Sequence, residues 1–257
     1  MDILYIIGPN SKNNYFDLKC SLRSIDRYGK NIDRVFVCGY CPDFLNDNIH
    51  KLPLDRDRNI PKNKNIWKAI LHTIANTDIG KNNNGDFLIS MDDHFYIKDV
   101  DFDNYPVKAK LTKSIYGGML PYSRQTTKRE RMGYENVLIN THKFCVEHRL
   151  PCIFFTLHSN MRINRYAIES MKKINNDIFT HDLGDLECTV IAQNYRLMHK
   201  PFRFVFSGDH KFRKAQSIQK LIDANIYDSF STYDFDETDE LYEYLTKLYP
   251  DKSKYEK

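Results

Sequence analysis

Phe87 to Ile97 reads FLISMDDHFYI, and it sets Asp92, Asp93 and His94 directly behind an apolar run. Paired carboxylates at the end of a buried strand can do a definite job. One can coordinate a divalent cation directly while the other holds water or a hydroxyl group. The bland alternative is that Asp92 caps the next turn and Asp93 is solvated. Cys38 and Cys41 form a C-x-x-C. No second cysteine pair has zinc-like spacing, and Gly39-Tyr40 follow an apolar strand, so reduced thiols are the expectation. The basic stretch from Ser123 to Arg131 reads as a solvated loop or a lid. His158 closes the apolar run CIFFTL, and Asp182, Asp185 and Asp209 fall in expected loops. Asp185 also reads as a helix N-cap.

Specific elements must position these groups. Ile3 to Ile7 reads as a buried strand ending at Gly8-Pro9-Asn10. Phe16, Leu18, Leu22 and Ile25 recur at helical spacing, and Gly29 closes that helix. Arg34 to Cys38 is a second strand, which makes a strand-helix-strand opening, the unit of an α/β sheet. A polar, basic segment from Asn59 to Asn65 precedes a helix marked by Ile66, Ala69, Ile70 and Ile74. Asp86 to Ser90 is a third strand. In open α/β sheets ligands bind outside the carboxyl ends of the strands, so a strand ending in two aspartates aims them at a cleft. Beyond it the pattern predicts a helix over 137–146, a strand over 152–157, helices over 165–174 and 186–195, and a last strand over 202–206. Two amphipathic segments follow, over 218–225 and 236–249. The expected organisation is one catalytic domain over 1–215 with a helical extension over 216–257 packed outside it.

Composition sets bounds. The chain has 257 residues, 41% hydrophobic and 28% charged, which fits a globular protein with a sizeable core. Its net charge of +4 suits an anionic small ligand and neither requires nor excludes nucleic acid. No apolar run approaches the about 18 residues that span a bilayer, and no N-terminal signal is visible.

The series SLRSIDRYGKNIDRVFVCG, KNKNIWKAIL and DFLISMDDHFYI resembles the nucleotide-sugar-dependent glycosyltransferases of the GT-A fold. The likeness is to phage and bacterial proteins related to the Stealth family of capsule sugar-phosphate transferases. YENVLINTHKF and HRLPCIFFTLHSNMRIN resemble a later block of that family, and the likeness covers roughly residues 1 to 210. The family's Asp-x-Asp stands here as Met91-Asp92-Asp93-His94. The opening strand, YIIGPNSKN, lacks the Trp-Val-Asp-Gly-like sequence of the Stealth proteins, which favours a nucleotide-sugar transferase.

The resemblance implies a GT-A-like (Rossmann-like) mixed, mainly parallel sheet flanked by helices. It implies a hexosyltransferase that moves a sugar from a nucleotide sugar, a UDP-sugar foremost, to an acceptor hydroxyl on a glycan or a hydroxymethylated DNA base. It assigns a manganese or magnesium ion to Asp93, with His210 as a further ligand, and makes Asp92 a sugar or metal contact. Gly8, Asn10, Arg23, Lys64, Asn65 and Lys211 become nucleotide-sugar contacts, with Lys211 or Lys64 on the phosphates. For Arg23 a helix-surface ion pair is the competing reading. Asp185, Asp182, Asp209 and His158 are the candidates for a general base. A bacterial or phage-infected host cytoplasm is the expected setting. Stealth-like sugar-phosphate transfer and a non-catalytic glycan- or nucleic-acid-binding module are the competing functions.

Overall fold

The computed structural model describes residues 1–9, 11, 13–109, 128–155, 159–181, 184–199, 204–206 and 211–257, with the backbone alone over 128–134 and 204–206. β1 (Asp2–Ile7), β3 (Val35–Gly39) and β5 (Asp86–Ser90) are almost continuously apolar. Such runs suit strands covered on both faces. They form a five-stranded sheet with β4 (Ile49–Pro53) and β9 (Met161–Asn164), in the order β4-β3-β1-β5-β9. The first four strands are parallel and β9 runs antiparallel to β5. The architecture is a mixed α/β fold whose central sheet is mostly parallel, as a Rossmann-like fold requires.

Side chains alternate across the strands and divide the core in two. Leu4, Phe36, Cys38, Phe87 and Ile89 pack on one face with Trp67, Ile70 and Ile74 of α2 (Lys62–Asn76). Ile3, Tyr5, Ile7, Val35, Val37 and Leu88 pack on the other with Leu18, Leu22 and Ile25 of α1 (Phe16–Tyr28). Each large apolar side chain so buried contributes about 1.5–3 kcal/mol. The chain therefore runs outward from β1 through α1 to β3 and β4, then returns along α2, on the opposite face, to β5 on the other side of β1. In open α/β sheets such a reversal marks the ligand crevice, here at the carboxyl ends of β1 and β5. Gly39, at the same edge, has φ 103°, and a Cβ there would lie 2.3 Å from the Ile7 carbonyl oxygen. Only glycine lets β3 end so close to β1.

A second, small sheet braces this edge. β6 (His94–Tyr96) pairs antiparallel with β12 (Ser229–Thr232), which pairs parallel with β11 (Lys211–Phe212). Two further pairs are β2 (Gly29–Lys30) with β7 (Val100–Asp101), and β8 (Val107–Ala109) with β10 (Phe204–Phe206). The remaining helices are α3 (Lys128–Glu147), α4 (Arg165–Ser170), α5 (Lys172–Thr180), α6 (Cys188–His199), α7 (Ala215–Ala224) and α8 (Glu240–Leu248).

Four expectations need correction. In the run at 152–157 the described residues make no strand, only an isolated antiparallel bridge between Phe155 and Ala109. The Ile153 N–H donates to Asn194 Oδ1 at 2.9 Å and its carbonyl accepts from Asn194 Nδ2 at 2.9 Å, so an α6 side chain takes the place of a ladder. The strand instead forms at β9, where the more polar MRIN pairs with the edge of β5. The last core strand, β10, joins β8 and not the central sheet. The segment over 216–257 is not helical throughout, because a strand, β12, lies between α7 and α8. β12 enters the sheet of β6, and Phe230, Leu241, Leu245 and Tyr249 share one apolar core with Phe16, Cys20 and Phe95. Finally, α6 begins at Cys188, which leaves Asp185 ahead of the cap position.

Candidate active site

β5 delivers its two aspartates to the crevice on a tight turn. The His94 N–H donates to the Met91 carbonyl at 3.3 Å, so Asp92 and Asp93 occupy the central positions of a β-turn. Both flanks of the turn are anchored. Ser21 Oγ of α1 donates to the His94 carbonyl at 2.8 Å and lies 2.9 Å from the Tyr5 hydroxyl. On the other side the Thr232 N–H donates to the Asp93 carbonyl at 3.1 Å. The carboxylates thus project from a backbone held by α1 and β12.

A third acid belongs to this group. Asp17 lies in the first turn of α1, where the helix dipole favours a negative charge. Burial, then the nearby charges of Asp17 and Asp93, push the Asp92 carboxyl up to about 8. Burial and the charge of Asp93 push Asp17 up to about 6, against a backbone hydrogen bond from Leu18. Lys211 of β11 approaches from the small sheet, its Nζ 3.2 Å from Asp93 Oδ2. Lys211 also sits 5.0 Å from the centre of the Tyr233 ring, and Arg213 sits 4.3 Å from the same ring.

A second polar group lies at the start of α2. Asn63 Nδ2 is 3.4 Å from Asp185 Oδ2 and 3.3 Å from Glu187 Oε1. Lys64 is buried and donates to the Phe179 carbonyl at 3.3 Å. Burial raises the Asp185 carboxyl, opposed by the Leu186 N–H and by the charges of Lys64 and Lys62. The charge of Lys62, in the first turn of α2, opposes the rise of both Asp92 and Asp185.

The structure therefore brings Asp92, Asp93 and Lys211 together, while Gly8 follows the carboxyl end of β1 and is exposed. It places Asp185 and Lys64 in the group at the start of α2. Arg23 and Asn65 are engaged elsewhere. Arg23 donates to both carboxylate oxygens of Glu256 at 2.8 Å and to the Tyr249 carbonyl at 3.0 Å, which is the ion-pair reading. Asn65 Nδ2 donates to the carbonyls of Asp57, Ile60 and Pro61, and its Oδ1 accepts from the Asp57 N–H, so it fastens the loop ahead of α2. Asn10, His158, Asp182, Asp209 and His210 lie outside the described residues, as does the basic stretch at 123–127. Asp17, Lys62, Asn63, Arg213 and Tyr233 are additions that the sequence reading missed. An acid in the first turn of the helix after β1 was the available signal for Asp17.

Asp92, raised by burial and then by the charges of Asp17 and Asp93, and Asp93 beside it offer oxygens of the kind that suit a hard cation. Among the described residues no group of three histidine, cysteine or acidic side chains converges on one point as a complete metal cage. A cation on Asp92 and Asp93 would need its remaining ligands from water or substrate, as magnesium sites ordinarily do. Cys38 and Cys41 pack into different clusters, on opposite faces of the sheet, and all six cysteines are free. Among the described residues no helix is long and apolar enough to cross a membrane. No protein-family model matches the chain, and no curated protein matches it.

Proposed function

We propose that this chain is a metal-assisted glycosyltransferase of GT-A type, a hexosyltransferase that uses a nucleotide-sugar donor. The observation that carries the reading is the position of Asp92 and Asp93. They sit on a pinned turn at the carboxyl end of β5, beside β1, where the strand order reverses. Departure of a nucleoside diphosphate builds negative charge on the leaving phosphate. A divalent cation, manganese or magnesium, supplies Lewis-acid stabilisation of that charge when bound. Asp93 is the residue to hold it, and Asp92 meets the cation or a sugar hydroxyl. Lys211 offers an ammonium group to the phosphates. Asp185, held near Asn63 and raised by burial, is the described residue best suited to accept the proton of an attacking hydroxyl. A carboxyl raised toward neutrality is a better base than one of ordinary pKa.

The acceptor is a glycan or a hydroxymethylated DNA base, and salt separates the two. Affinity for DNA falls steeply as salt rises, while affinity for a neutral glycan does not. The reading itself is tested by mass spectrometry of what the donor becomes. Free nucleoside diphosphate, with the sugar on the acceptor, supports it. Free nucleoside monophosphate, with a sugar phosphate on the acceptor, would replace it with Stealth-like sugar-phosphate transfer.

A further inference from the structure

Helix α3 ends in a turn that brings two thiols together. Arg149 takes the left-handed conformation, φ 55°, where glycine ordinarily closes a helix. The Arg149 N–H donates to the Val146 carbonyl at 3.1 Å, and the Leu150 N–H donates to the Cys145 carbonyl at 2.7 Å. These two bonds fold the chain back over the last turn of the helix. Pro151 follows, then Cys152, whose Sγ lies 3.8 Å from the Leu150 carbonyl oxygen. Ile153 is held through both of its backbone groups by Asn194 of α6. Cys152 is thus set between two anchored neighbours, Leu150 and Ile153. It packs against the same apolar core as Cys145, and the Cys145 S–H donates to the Cys152 sulfur.

The two thiols are unlike. Cys145 is fully buried, and the hydrogen bond it donates, then burial, raise it and keep it a thiol. Cys152 is partly exposed, and accepting that bond brings it down to about 7 against the effect of burial. Burial raises Cys20, Cys38, Cys41 and Cys188. Cys41 is the other partly exposed cysteine, and Cys38, its neighbour in sequence, packs on the opposite face of the sheet. Since the thiolate is the nucleophile, Cys152 is the cysteine set up to react.

We propose that Cys152 and Cys145 form an oxidation site for a small hydroperoxide, in which Cys152 reacts first and Cys145 resolves it to an internal disulfide. The Cys152 thiolate attacks one oxygen of hydrogen peroxide, the O–O bond breaks and hydroxide leaves, which gives a sulfenic acid. The Cys145 sulfur then attacks the Cys152 sulfur. The S–O bond breaks, and the departing hydroxide takes the Cys145 proton and leaves as water. Two thiols are oxidised, one peroxide is reduced, and two waters form in all. The sulfurs are already in contact, so no helix or strand has to part. A dithiol reverses the change. None of this rests on sugar transfer.

Peptide mapping tests the proposal. The reduced protein is exposed to increasing hydrogen peroxide, quenched by alkylation and digested with trypsin. The expected product joins the peptides 144–149 and 150–162, about 2 Da lighter than the two reduced peptides together, and dithiothreitol separates them. It should form at least about tenfold faster than Cys41 is oxidised. In Cys145→Ala, dimedone should capture a sulfenic acid on Cys152, and the pH midpoint for alkylation of Cys152 by iodoacetamide should rise. In Cys152→Ser, which leaves the buried position intact, Cys145 should stay reduced at the same peroxide dose. Oxidation of Cys41 ahead of Cys152 overturns the proposal. So does a disulfide from Cys152 to any other cysteine or to a second chain, or oxidation of Cys145 in Cys152→Ser. Faster crosslinking by glutathione disulfide than by peroxide would overturn the hydroperoxide assignment.

Discussion

The Arg23 guanidinium grips both carboxylate oxygens of Glu256, 233 residues further along the chain, each at 2.8 Å. Glu256 keeps only 4% of its side-chain surface exposed, and Arg23 13%. Helix α1, which carries Asp17 and Ser21 to the crevice, is thereby tied to Tyr249 and Glu256. Arg23→Ala should cost about 3–5 kcal/mol in urea unfolding, because it leaves a buried carboxylate without its partner. Replacing both partners with apolar residues should cost less than either single change. A loss in the double variant equal to the sum of the two single losses would show that the pair contributes nothing specific.

That ion pair also sets an acid limit. Burial alone would raise the Glu256 carboxyl, but the hydrogen bonds from Arg23 and Ser253 outweigh it and hold the group below the usual glutamate range. Its contribution is complete above the unfolded glutamate value of about 4.3 and is lost as pH falls through the lower folded value.

The crevice acids predict the opposite trend. Asp92 stands at about 8 and Asp17 at about 6, both above the ordinary aspartate value of 3.8. The folded chain therefore binds more protons than the unfolded chain between these limits. Stability supplied by the protonated acids is present below the ordinary value and is lost as pH rises toward 8. Melting temperature in a chelator should fall across this window. Asp92→Asn should flatten the fall, and saturating manganese should flatten it in the wild type. A wild-type profile that is level from pH 5 to about 8 would contradict the burial and the mutual charge that raise these two carboxyls.

Asn65 offers a test of a different kind. Its amide makes hydrogen bonds to Asp57, Ile60 and Pro61. Asn65→Ala should destabilise the fold by about 1–3 kcal/mol and speed hydrogen exchange over 57–61. A nucleotide contact would instead show as weakened nucleotide binding with melting unchanged.

Much of the scaffold was legible because its signals were local. The buried strands β1, β3 and β5 are apolar runs bounded by turn residues, and α1 carries an unbroken helical stripe ending at Gly29. The placement of Asp92 and Asp93 at a strand end followed from those elements. What escaped depended on distant partners. β4 has only Ile49 fully buried along its five residues, so an edge strand there left little pattern to read. The apolar 152–154 segment looked like a strand, yet Asn194 took up its backbone groups. β12 reads SFST and is a strand because β6 and β11 pair with it. Asp17 is 75 residues from Asp92 in sequence, and only the packing of α1 over the turn brings their charges together. The engagement of Arg23 by Glu256 was invisible for the same reason.

The central claim is that Asp93 works on a nucleotide sugar through a divalent cation. Its most direct test is release of nucleoside diphosphate from a panel of nucleotide sugars in manganese, with wild type and Asp93→Ala side by side. The prediction is release from one donor by the wild type, and a loss of at least about 100-fold in Asp93→Ala, the scale of removing a group that stabilises developing charge. Equal release by both proteins, or none from any donor with no nucleotide binding, would contradict it.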